Sequence, residues 1–291
     1  GTKHAGPGDT VYIRAGTYDL SGFSTTIDRP LSLIGEDKKS TVLANGGTLT
    51  FSRSLAVRNI TFRNFSRTVL KPLAREGKKP DGIFVEHCVF ENLSSGINTG
   101  KDPRGVITNV RISNFEFRDM EGTGVAAIAF VYGLISDVRI TKNSFKNLKS
   151  TRKGCTAVVV GSNATRATTK DVILSDNEMD RITGPTTEVG GAGPEVHGIL
   201  AYGTNLRILK NTVKNLNAGR DHEAIYMKAS SSTIAENIVH NCGSGGGGAD
   251  ITSKGGELSE GNVITGNRIT GDQPGRGMLI NGGTVIRDNY I

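Results

Sequence analysis

The stretch "ILKNTVKNL", residues 208–216, decides the fold because the chain repeats it. Variants stand on both sides: "ITKNSFKNL" (140–148), "LSDNEMDRI" (174–182), "IAENIVHNC" (234–242) and "ITGNRITGD" (264–272). Weaker copies open the series as "VRNITFRNF" (57–65), "VEHCVFENL" (85–93) and "ISNFEFRDM" (112–120), and "IRDNYI" (286–291) closes it. The fourth position forms a column: Ile60, Cys88, Phe115, Asn143, Asn177, Asn211, Asn237, Asn267 and Asn289, at intervals of 28, 27, 28, 34, 34, 26, 30 and 22. Two positions on, the column reads Phe62, Phe90, Phe117, Phe145, Met179, Val213, Val239, Ile269 and Ile291.

A repeat of this length with period-2 apolar alternation and Gly/Asn punctuation describes coils of short strands stacked in parallel. Leucine-rich repeats share the period, but their repeated Leu pattern is absent. The expectation is an all-β, right-handed parallel β-helix of three-strand coils. Residues 1–291 are read as one solenoid, with "GDTVYIRAGTYDL" (8–20) and "LSLIGE" (31–36) as earlier coils. Like residues then stack about 4.8 Å apart, and stacked Asn side chains hydrogen-bond along their column. The two 34-residue intervals carry extra loops, placed near 147–157 and at 183–198, and 66–82 is a third, basic connection. In a solenoid such insertions wall a binding face.

Composition agrees. The chain of 291 residues has 39 Gly, no Trp and 36% hydrophobic residues, which suits a turn-rich β protein better than a helical globule. Its formal charge of +7 favours an acidic partner. Nucleic acid fits least, since the basic residues lack interleaved aromatics or a known module. No apolar run is long enough to span a membrane. Cys88, Cys155 and Cys242 show no metal spacing and read as small buried hydrophobes. The chain opens at Gly1 rather than Met, as after removal of a leader, so a secreted or periplasmic location is expected.

Counting back from the Asn column gives a register for "GRDHEAIYMKASSSTIAENIVHNCG" (219–243). Lys228 falls over Tyr202, and Glu223 over His197. "ADITSKGG" aligns next, placing Lys254 over Lys228 and Asp250 over Ala224. Ile199, Ile225 and Ile251 share an inward column, so Tyr226 and Lys228 point outward. Glu223 breaks strict alternation. Either a bend turns it outward, the reading preferred here, or it is buried and paired.

This segment resembles the core of polysaccharide lyase family 6, the chondroitinase B-like and alginate lyase β-helices. The resemblance rests on the spacing acid-x-acid-x4-Lys (Asp221, Glu223, Lys228), then Asn237 nine residues on and the closing Asn241-Cys242 pair. It covers two or three coils. It implies a lyase acting on an acidic, uronate-containing polysaccharide, alginate- or chondroitin/dermatan-like. In β-elimination a base removes the C5 proton alpha to the carboxylate while the C4–O4 bond breaks. That proton is too weakly acidic unless the carboxylate charge is neutralised. By resemblance Lys228 is the base, Lys254 its catalytic neighbour, and Asp221 and Glu223 are Ca²⁺ ligands. Like-charge repulsion from Lys254 favours the neutral amine of Lys228.

Two departures stand out. The family has an arginine acid where this chain has Lys254, with Arg276 a substitute in the following coil. It has an Asn metal ligand where this chain has His197, a poor partner for Ca²⁺. Tyr202, Tyr226, Arg220, His222 and Arg276 complete the expected substrate-binding set. Lysines and tyrosines are also ordinary exposed rungs of a solenoid. A uronate C5-epimerase, a tailspike-type glycoside hydrolase using Asp221, Glu223 and Asp250, and a non-catalytic carbohydrate-binding scaffold stay open as alternatives.

Overall fold

The structure is a computed structural model, described for residues 4–73, 80–99, 105–166, 168–185, 195–218, 222–242, 249–254, 260–271 and 276–291. No helix occurs among the described residues. Every pairing between strands is parallel, in one sheet of 20 strands and one of 10. The larger sheet resolves into two stacks joined only because the strand Val196–Leu209 runs through both. Its first half pairs with Cys155–Val160 and His222–Ser230, its second with Thr169–Ser175 and Thr233–Ala235. Three stacks of parallel strands around one apolar interior make a parallel β-helix, as the repeat predicts.

The two asparagines of each repeat do different work. The first is buried. Each carboxamide nitrogen from Asn143 onward donates to the next oxygen, Asn143 to Asn177, then Asn211, Asn237, Asn267 and Asn289, at 2.8–3.0 Å. Its other proton goes to a main-chain carbonyl such as Leu174 O, and its oxygen also accepts a main-chain N–H, so the buried amide is satisfied. The second asparagine turns the chain: Asn64, Asn92, Asn147, Asn215 and Asn241 all have φ between 52° and 57°. Asn tolerates this left-handed conformation better than most residues. Inside, the Phe column stacks as predicted, with Phe62, Phe90, Phe117 and Phe145 at centroid separations of 4.8–5.0 Å. Cys88, Cys155 and Cys242 are buried free thiols, pushed up to about 12 by burial.

Most of the extra residues of the interval 143–177 lie beyond the loop expected near 147–157. Residues 147–157 are mostly strand, in Ser144–Ser150 and Cys155–Val160. Gly122 pairs with Ser150, Val125 with Cys155, Phe130 with Val160 and Ile135 with Thr169, so two of the extra residues fall between Ser150 and Cys155 and four between Val160 and Thr169. Gly161, at φ 75°, starts the second insertion; a Cβ there would meet the Tyr202 carbonyl at 2.6 Å. The basic connection at 66–82 likewise contains a strand, Leu70–Pro72. Most of 183–198 lies outside the described residues.

Candidate functional site

The site is built on the outer face of the stack holding Cys155–Val160, Val196–Leu209, His222–Ser230 and Ala249–Ser253. A recurring irregularity shapes it. His197 pairs with Glu223 and Ile199 with Ile225, but Gly198 and Ala224 are skipped. The same skip falls at Ala127 and Ala157, and at Asp250 and Gly277. Two successive residues, Ala224 and Ile225, are both in the core, whereas Glu223 and Tyr226 line the outer cleft. Small residues occupy the skipped column because it points inward at close quarters. A Cβ on Gly198 would lie 2.6 Å from the Ala224 carbonyl. The preferred bend at Glu223 is therefore present.

Its consequence differs from a free surface acid. Glu223 is buried, and its Oε2 lies 3.0 Å from His197 Nε2, so the carboxylate is both turned outward and paired. Around this pair a cleft of about 480 Å³ is lined by Asn163, Glu195, His197, Leu200, Tyr202, Glu223, Tyr226 and Lys254. His197 meets Tyr226 edge-on at 5.9 Å, and Tyr226 lies 5.9 Å from Tyr202. Lys254 Nζ stands 5.8 Å from the centre of the Tyr226 ring, a cation over an aromatic face. Burial pushes the Tyr202 phenol up to about 12. It raises Tyr226 as well, with the charges of Glu223 and Glu195 adding to the effect. Both phenols are thus proton-bearing donors at neutral pH.

The predicted register holds. Tyr202 pairs with Lys228, and the chain continues so that Lys254 N donates to Met227 O, one rung above. Lys228 leans down the stack beside the cleft, its Nζ donating to Asn163 Oδ1 at 2.9 Å. Asn163, Glu195 and Leu200 were not singled out by sequence; the first sits in the insertion that counting misplaced.

Three expectations change. His222 is buried in the column of Cys155 and Val196, away from the cleft, because the bend puts it in phase with the interior. Asp250 occupies the inward small-residue column, so it and Glu223 do not face one bond as a hydrolase requires. Arg276 is exposed, pairs with Ala249 and is not part of the cleft lining. Arg220 and Asp221 lie outside the described residues. As for Ca²⁺, no three His, Cys, Asp or Glu side chains converge among the described residues. A carboxylate bound to an imidazole is also a poor donor set for an oxygen-seeking cation. With Asp221 outside the described residues, the bonded His197–Glu223 pair by itself does not fit Ca²⁺.

No protein-family model and no curated protein matches the chain. Among solved structures it is similar to the A-module of the Azotobacter vinelandii mannuronan C-5 epimerase AlgE6, at 13% identity and a TM-score of 0.37, covering 99% of this chain and 92% of that one. It is similar to the PL6 family alginate lyase AlyGC at 12% and 0.44, where 99% of this chain spans 49% of the other. With the PL6 family polysaccharide lyase Pedsa3628 of Pseudopedobacter saltans the values are 13% and 0.32, covering 99% and 89%. At such identities shared coils do not carry function across.

Proposed function

We infer that this cleft is the active site of a secreted lyase that cleaves a uronate-containing polysaccharide by β-elimination. The observation that carries the reading is that two half-buried, protonated tyrosines and Lys254 line one cleft on the outer face, with Lys228 beside it bonded to the lining residue Asn163. Such a face suits a polyanionic sugar, which needs cations for its charge and rings for its apolar faces. In the proposed reaction the phenols of Tyr202 and Tyr226 hydrogen-bond the uronate carboxylate. They stabilise the charge that builds there as C5 loses its proton. The neutral amine of Lys228 takes that proton, the electron pair forms the C4–C5 double bond, and O4 departs with a proton from the Lys254 ammonium. Glu223 holds His197 against Tyr226 and so fixes the wall of the cleft.

A panel of alginate, chondroitin, dermatan and pectate tests this, with ultraviolet absorbance reporting the unsaturated uronate. Appearance of the absorbance with one of them supports the reading. Inversion at C5 without absorbance would mark an epimerase, and new reducing ends without absorbance a hydrolase; either would replace it.

A further inference from the structure

Lys228 is tethered from outside its own face. Its Nζ donates to the amide oxygen of Asn163, a residue 65 positions earlier in the chain. The segment carrying Asn163 is tightly held. Gly161 N donates to Phe130 O, Thr165 Oγ1 accepts from Ser162 N and donates to Val131 O, and Thr168 Oγ1 donates to Gly133 O. A fixed turn thus presents one acceptor to one amine, while Asn163 itself lines the cleft.

The chemical type of that acceptor matters. A carboxylate in this place would hold the amine as ammonium, which has no lone pair to give. An amide oxygen is uncharged. It accepts an N–H from the neutral amine as well as from the ammonium, and it fixes where the remaining lone pair points. The ionisable groups on the rungs adjacent to Lys228 are Tyr202 and Lys254, and its acceptor Asn163 shares the cleft lining with Tyr226, Glu223 and Glu195. None of the acids among them is the partner of Lys228.

We propose that Asn163 is a positioning residue for Lys228, aiming its amine into the cleft through a neutral acceptor that leaves it free to act as a base. The proposal rests on the reading of Lys228 as the proton-abstracting base. It separates orientation from charge, so two substitutions give different signatures. Asn163→Ala removes the tether. The kcat on the polyuronate that the wild type degrades falls about tenfold, the loss of one hydrogen bond made by the reacting group, while KM stays within twofold and the pH profile keeps its shape. Asn163→Asp keeps the tether but adds charge, so the acid limb of the kcat profile moves up by about one pH unit, and activity returns at higher pH.

The same contrast is read without substrate. Trinitrobenzenesulfonate modifies free amines, and the rate at Lys228, followed against pH by peptide mass spectrometry, shifts upward in Asn163→Asp and not in Asn163→Ala. Thermal denaturation confirms that each variant is folded. The proposal is overturned if Asn163→Ala keeps kcat within twofold on that polyuronate, or if Lys228 in Asn163→Asp is labelled with the wild-type pH dependence. If no polyuronate of the panel yields unsaturated product, or Lys228→Ala still turns the substrate over, the lyase reading fails. The labelling result then judges the tether alone.

Discussion

Two corners of the same coil follow opposite rules. At the ladder corner one residue type recurs, from Asn143 to Asn289, and each buried amide finds its partners in the coils beside it. At the bend of the site-bearing stack only size recurs, through Gly96, Ala127, Ala157, Gly198 and Ala224, until Asp250 breaks even that. There the next strand buries polar groups without partners among the described residues: Asp250 Oδ1, Thr252 Oγ1 and Ser253 Oγ. A corner that must close every coil is written in identical residues. A corner that must only pass the chain leaves its outward neighbours free to become His197, Glu223, Tyr226 and Lys228.

The largest effect expected from this contrast is at the ladder. Asn211→Ala deletes a fully buried amide and strands the Asn177 side-chain and main-chain donors and the Leu174 carbonyl. The expected cost is on the order of 4 kcal/mol, measured by urea denaturation. A loss below about 1 kcal/mol would show that the column is not a unit.

At the bend the sign reverses. Burial pushes the Asp250 carboxyl up from 3.8 to about 6, with no partner for its Oδ1 among the described residues to offset it. Because the folded state holds the proton more tightly, this contribution to stability is complete below pH 3.8 and is lost as pH rises through about 6. Asp250→Ala, which restores the residue of the rungs below, is expected to stabilise the protein by roughly 3 kcal/mol at pH 8 and much less at pH 4. Equal melting temperatures for wild type and variant at pH 8 would contradict it.

These two corners also show what was legible in the sequence. The ladder and Phe columns could be read because they repeat, and counting from Asn237 put Lys228 over Tyr202 and Glu223 over His197 correctly. Counting gives only the total length between two asparagines, so it could not say that most of the extra residues after Asn143 fall beyond Val160. The wall carrying Asn163 was invisible for that reason. Nor does alternation survive a bend: one skipped position turns His222 and Asp250 inward while leaving Glu223 outward. The signal was there in the run of Gly and Ala at one register position, which a size comparison down the column would have found.

Smaller effects sharpen the contrast. His197→Ala leaves the Glu223 carboxylate buried without its partner and is expected to cost roughly 2 kcal/mol, recovered in the double variant His197→Ala/Glu223→Ala. An additive double variant would mean that the pair is not coupled. Smallest is the turn column, where Arg181 at φ 56° stands in a position otherwise held by asparagines, Asp119 and Gly271. Arg181→Asn should raise stability by about 0.5 kcal/mol through relief of the left-handed backbone, its exposed contact with Asp180 at 3.7 Å contributing little. No gain in denaturation midpoint would show that the corner is held by something other than backbone preference.

The central claim is that the outward side of the bend does chemistry, and it stands or falls on Lys228. The direct measurement is the initial rate of unsaturated-product formation by folded Lys228→Ala on the polyuronate that the wild type degrades. Loss of a general base costs about 10²–10⁴ in rate, and a fall of at least that size with sugar binding largely retained is the expected result. A Lys228→Ala protein that keeps most of the wild-type rate would make the lysine a surface rung of the solenoid and place the chemistry elsewhere.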